Sequence, residues 1–144
     1  MSKSSTFEND FLKLIFQGVA IANIADNTTT APLTNLYIAL HTGDPGESGN
    51  QSTNEISYTG YTRKAVPRSA LGWSVTGNII SPVSNIVFGI PTAVTGVPIA
   101  TYMSIGVAVS GATKILYSGI LTPSIPIIVS KPPTLLLSST ITEE

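Results

Sequence analysis

The chain contains a single histidine, His41, at the end of the strand-like run in LYIALHTGDPGESGN (residues 36–50), with Asp44 and Glu47 close behind it. Histidine beside carboxylates is the material of a hydrolytic triad, where a carboxylate orients the imidazole and the imidazole takes a hydroxyl proton. Here the pattern is unselective. Asp44 lies three residues downstream across a turn, no G-x-S-x-G elbow occurs, and 17 Ser and 18 Thr offer too many equivalent hydroxyls to single one out. One histidine and no cysteine cannot supply the usual nitrogen and sulfur ligands of a transition metal. Of the eight acids, Glu143 and Glu144 end the chain and Glu8 and Asp10 open a helical pattern, so no paired carboxylates for glycoside hydrolysis stand out. The glycines are scattered at turns rather than gathered into a phosphate-binding loop. The residues therefore imply no enzyme, no cofactor, no transition-metal site and no small-molecule substrate. His41 reads as a strand-end histidine that hydrogen-bonds the adjacent loop.

That loop is the more informative half of the segment. Residues 43–60, GDPGESGNQSTNEISYTG, run 18 residues without a periodic apolar signal, a length that is uncommon in compact domains unless it serves a function or is disordered. Asp44, Glu47 and Glu55 give it one sign of charge. It suits a partner contact, a hard-cation site built from carboxylate and carbonyl oxygens, or a plain hydrophilic surface; the acid spacing is not that of an EF-hand.

The elements around it follow from periodicity. Ser5 with Glu8 three residues on fits a capping box, and Phe7, Phe11, Leu14 and Ile15 form a stripe that Leu12, Phe16 and Val19 widen around the cylinder. This predicts a helix over 5–24 that is buried on more than one side, within the domain or against another subunit. The polar NIADNTTTAP then reads as a connection. From Leu36 the period falls to two, with Leu36, Ile38 and Leu40 on one face and Tyr37, Ala39 and His41 on the other. Further short strands are predicted at 61–66, 72–76, 78–81, 85–88, 102–109, 115–121, 125–129 and 134–142, separated by turns such as SALG, TGN, TGVP, SGATK and SKPP. One helix and eight or nine short strands predict a mainly β chain: a jelly-roll-like β-sandwich over 33–142 within a single domain, 1–144. Trp73 alternates with Val75 after a glycine turn and reads as a core anchor, whereas Tyr58, Tyr61 and Tyr102 suit either the interior or an interface.

Composition narrows the partners. Charged residues make up 10%, against roughly 25% in an ordinary soluble domain, and 42% are hydrophobic. Such a surface is expected to be covered in part by copies of itself or by partners. A net charge of -1 gives no field to attract nucleic acid or an anionic membrane. The one basic cluster, Arg63, Lys64 and Arg68, reads as a solvated strand end or as a patch that meets acids on a neighbour. Met1 to Asp10 is polar and does not read as a signal peptide, and the apolar run 11–24, broken by Lys13, Gln17 and Asn23, is short of the roughly 20 residues that span a bilayer.

The order of the segments carries a further reading. TFENDFLKLIF, NIADN, APLTNLYIALHTGDPGE, TNEISYTGYTRKAV, GWSVTGN, IVFGIPTA and SIGVAVSGATKILYSGIL succeed one another over nearly the whole chain. In this order they resemble a family of small bacteriophage virion proteins, commonly labelled tail fibre proteins, with relatives that act as capsid cement or decoration proteins. The C-terminal PSIPIIVSKPPTLLLSSTITEE departs from the family's small-residue stretch, which puts the contacts of that edge in question. The resemblance implies a virion structural protein. Its first implication is a cement protein that binds the outer face of the head and stabilises the major capsid protein lattice, after synthesis in the host cytoplasm. The alternative is a tail fibre or tail-tip component involved in host attachment. The major capsid protein and further copies of the chain are the expected partners, with Phe11, Ile15, Phe16, Asp44, Glu47, Glu55, Arg63 and Lys64 as candidate interface residues.

Overall fold

The computed structural model describes residues 4–21, 24–25 and 32–142. Helix α1 (Ser5–Leu12) is followed by a π-helical turn (Lys13–Gln17). The strands are β1 (Asn35–His41), β2 (Lys64–Pro67), β3 (Trp73–Thr76), β4 (Ile79–Pro82), β5 (Ile86–Val87), β6 (Ile99–Gly106), β7 (Ile115–Pro126), β8 (Thr134–Leu135) and β9 (Ile141–Thr142). The chain is mainly β, with antiparallel sheets and one N-terminal helix, as its strand and turn pattern implies. It divides into two compact units, neither of them a continuous segment.

The first unit comprises the described residues within Met1–Asn35, Pro67–Ile86 and Leu135–Glu144. Its three-stranded sheet has the order β3-β4-β9, with Val75 opposite Ile80 and Ile80 opposite Ile141. The helix packs on β3: Phe16 meets Trp73 edge-on at 5.0 Å, and Asn9 donates its side-chain N–H to the Gly77 carbonyl at 3.0 Å. Leu12, Phe16, Trp73 and Ile80 are buried, which makes Trp73 the core anchor that its sequence context suggested.

The helix starts at Ser5, as the sequence reading has it, but its cap and its stop differ. Ser4 is the N-cap, its hydroxyl accepting from the Phe7 N–H at 3.3 Å, one residue ahead of the expected Ser5. The regular helix ends at Leu12, and the π-turn closes at Gly18, whose φ of 68° an L side chain rarely adopts. Arg68 then donates to the Leu14 and Ile15 carbonyls, the orphan acceptors of a helix end. Val19 and Ile24, which continue the apolar run in sequence, lie beyond the helical turns and are exposed. The NIADNTTTAP connection falls mostly outside the described residues.

The second unit comprises Leu36–Val66 and Val87–Thr134. Its four-stranded sheet has the order β2-β1-β6-β7. Ile38 faces Ile105 across the β1–β6 pair, and Ala39 faces Ser104. Of the expected separate strand at 125–129, Ile125 and Pro126 are the end of β7, and Ile128 makes only an isolated bridge to Lys131. Between the pairs Tyr102–Ile120 and Ala100–Ile125, four residues of β7 oppose one of β6, and this bulge absorbs Pro123 without ending the strand. The expected strand at 134–142 is two short ones, β8 and β9, separated by a turn at Ser139 whose N–H reaches the Leu136 carbonyl.

Candidate functional site

The alternation of β1 puts Leu36, Ile38 and Leu40 on one buried face, and Ala39 and His41 on the opposite one. On that second face the register brings Ser104 and Gly106 of β6 beside β1, and residues of the 43–60 loop lie over it. A Cβ at 106 would run into the side-chain amide of Gln51 and force it to shift. Gln51 occupies that space fully buried.

His41 is fully buried and uses both ring nitrogens. Nδ1 lies 2.8 Å from the Thr53 carbonyl oxygen, which can only accept, so Nδ1 carries the proton. Nε2, 2.7 Å from Ser104 Oγ, is then the acceptor for the serine hydroxyl. Gln51 Nε2 approaches the same Oγ at 3.4 Å and donates to the Tyr37 carbonyl at 2.9 Å. Burial holds the His41 pKa below its ordinary 6.5, against the opposing pull of the Thr53 hydrogen bond and the Glu55 charge.

Arg63 is the second centre. Its guanidinium forks onto Glu55, with Nε 2.8 Å from Oε1 and Nη2 2.7 Å from Oε2. The remaining N–H groups reach the Gly111 carbonyl (2.8 Å), Thr113 Oγ1 (3.1 Å), the Ala108 carbonyl (3.2 Å), Ser52 Oγ (3.3 Å) and Gln51 Oε1 (3.4 Å). Thr113 donates its hydroxyl to Gln51 Oε1 at 3.0 Å, which joins the two centres. Tyr61 OH donates to Glu55 at 3.1 Å and accepts from the Leu40 N–H at 3.0 Å; burial raises its pKa. The planar fork of arginine suits this work, since one side chain ties the 43–60 loop to the β6–β7 connection.

Chemically this arrangement is closed. The His41–Ser104 pair has the contact of a base and its nucleophile, yet both side chains are fully buried and the outer nitrogen of His41 meets a peptide carbonyl rather than a carboxylate. Asp44 spends one oxygen on the Gly46 N–H at 2.8 Å. Among the described residues, no group of three or more histidines and acids is placed to hold a metal ion.

Residues of the 43–60 loop are thus held on the β1–β6 face by the His41 and Arg63 hydrogen bonds. The family model described as Podophage GP4 fiber I protein gp80 matches residues 2–139. The chain belongs to that family. It is therefore a phage virion structural protein of the fibre class, in agreement with the resemblance in the segment order. No curated protein matches the sequence.

In this fibre-family chain the candidate interface residues part into two groups. Asp44 and Glu47 are exposed on the loop, Lys64 is half-buried at the start of β2, and Phe11 and Ile15 are half-buried on the helical segment. Phe16 and Arg63 are buried in this chain. Phe16 is fully buried against Trp73, and Arg63, only 4% exposed, is engaged by Glu55 and by carbonyls of the β6–β7 connection, so neither presents a surface in this chain. Glu55 is largely turned inward for the same reason. The basic cluster is likewise no solvated strand end: Arg63 and Arg68 both serve interior acceptors, and Lys64 alone remains for solvent. Tyr58 and Tyr61 point their hydroxyls inward too, Tyr58 onto the Gly89 carbonyl at 2.9 Å with its pKa pushed up to about 12 by burial. Gln51, Ser104, Thr113 and Gly106 were not singled out from sequence, since isolated polar and small residues in a chain rich in both carry no local signal.

Proposed function

We propose that this chain is a building block of a podophage tail fibre, without enzymatic activity, and that it works by presenting rigid β-scaffolded loops to neighbouring virion subunits. The observation that carries this reading is the family match over 2–139, which names a fibre protein. It displaces the capsid cement role to second place, because that role rested on resemblance to relatives and the family description names no head component. The geometry supports a structural role as well: the histidine, the arginine fork and the buried serine are all committed to holding loops in place. Further copies of the chain and a tail subunit are the partners proposed, with the exposed acids Asp44 and Glu47 as part of the contact surface. Nucleic acid is an unsuitable partner for a chain of net charge -1.

Copy number tests the assignment. Quantitative mass spectrometry of purified virions should give a small ratio of this protein to the major capsid protein, as a set of tail fibres requires. A ratio near one per capsid subunit would overturn the fibre reading in favour of cement.

A further inference from the structure

We propose that His41, Ser104 and Gln51 form an acid-sensitive clasp that holds the 43–60 loop on the β1–β6 face at neutral pH and lets it open when His41 takes up a proton. The inference rests on the geometry of the second unit and is independent of the fibre reading. Every hydrogen of the clasp has a place only while the imidazole is neutral. Nδ1–H donates to the Thr53 carbonyl, Ser104 Oγ–H donates to Nε2, and Gln51 Nε2 donates to Ser104 Oγ and the Tyr37 carbonyl. A proton on Nε2 turns that nitrogen into a donor. Ser104 Oγ then receives from both His41 and Gln51, and its own hydrogen is left without an acceptor in a fully buried position. The new charge is buried as well, and opening the loop would relieve both groups by admitting water.

The groups facing His41 set the balance. Glu55, which pairs with His41 across an isolated bridge, favours the imidazolium, whereas Arg63 opposes it. Tyr102 of β6 stands opposite His41, Tyr61 lies before β2, and β2 itself carries Lys64. Burial outweighs the attraction of Glu55, so the clasp is closed at neutral pH. Within the loop, residues 43–53 are bracketed by the Thr42 N–H to the Asn54 carbonyl (2.8 Å) and by the Ile56 N–H to the Leu40 carbonyl (2.9 Å). These ties confine opening to the residues between them, which makes it a local event.

Amide hydrogen exchange on the full chain, converted to protection factors to remove the intrinsic pH dependence, reads the clasp directly. Between pH 7.5 and 5 the protection of the Gln51 and Thr53 amides should fall about tenfold or more, while the protected amides of β1 and β6 hold theirs. His41→Gln cannot gain the charge and should flatten the response. Unchanged loop protection in the wild-type chain, an equal fall in H41Q, or a parallel fall in the strands would each overturn the clasp. NMR of the His41 ring in the wild-type chain gives a second test that needs no variant. A neutral ring protonated on Nδ1 at pH 7.5 supports the proposal, and protonation on Nε2 contradicts it.

Discussion

Trp73 in the first unit and Arg63 in the second are both nearly inaccessible, yet the two interiors are made in opposite ways. Around Trp73 the packing is apolar and aromatic, and the indole N–H is buried with no hydrogen-bond partner among the described residues. Around Arg63 the guanidinium finds a bidentate carboxylate, two hydroxyls, two carbonyls and an amide oxygen. The apolar interior tolerates an orphaned donor because the area buried by the ring outweighs it. A buried cation has no such latitude, since its desolvation must be met by paired charge and well-placed acceptors. This difference explains why the polar interior fixes loops: the acceptors it needs are supplied by loop backbone and loop hydroxyls.

Breaking each interior at its centre should give the largest effects. Arg63→Ala strands Glu55 and uncovers the Gly111 and Ala108 carbonyls, an expected loss of about 3–5 kcal/mol in urea unfolding. Trp73→Ala should cost a similar amount, about 3–5 kcal/mol, through the cavity it leaves. The comparison sharpens with conservative replacements. Trp73→Phe removes the unpaired N–H along with part of the ring and should cost clearly less than Trp73→Ala, whereas Arg63→Lys keeps the charge but loses the fork and should recover little of the loss. Equal recovery at both sites would contradict the distinction between the two interiors.

A smaller effect is expected from Gly106→Ala, whose new methyl collides with buried Gln51; about 1–3 kcal/mol should be lost, measured the same way. The pH dependence follows from His41. Its folded pKa lies below the ordinary 6.5, so the unfolded chain takes up this proton first. The contribution of the neutral ring to stability is complete above pH 6.5 and is lost as pH falls from there through the folded value. Urea midpoints measured from pH 8 downward should therefore begin to drop below about 6.5, less steeply in His41→Gln. At the bottom of the scale, Glu47→Ala and Lys64→Ala should change stability by no more than about 0.5 kcal/mol, because neither side chain serves the interior.

How much of this was legible in the sequence depends on the range of the cause. The two faces of Leu36–His41 and the core role of Trp73 are set by neighbours in the chain, so local periodicity displays them. The existence of the N-terminal helix is local too. Its length is not, because Gly18 ends it and Arg68, over 50 residues away, satisfies its last carbonyls. The length of β7 was hidden by Pro123, which breaks a strand in isolation but sits in a bulge here. The Arg63 centre was the least legible. Its acceptors at Ala108, Gly111 and Thr113 lie 45 to 50 positions away, two of them are peptide carbonyls, and no residue type announces them. Only the pairing of acids in a long loop with a basic cluster just beyond it hinted at contact, and the sequence reading directed that contact outward.

The fibre assignment is tested most directly by locating the protein on the particle. Immunogold labelling of intact virions with an antibody to this chain should place gold on the tail region, a few particles per virion. Gold distributed over the surface of the head would contradict the account and return the chain to the capsid lattice.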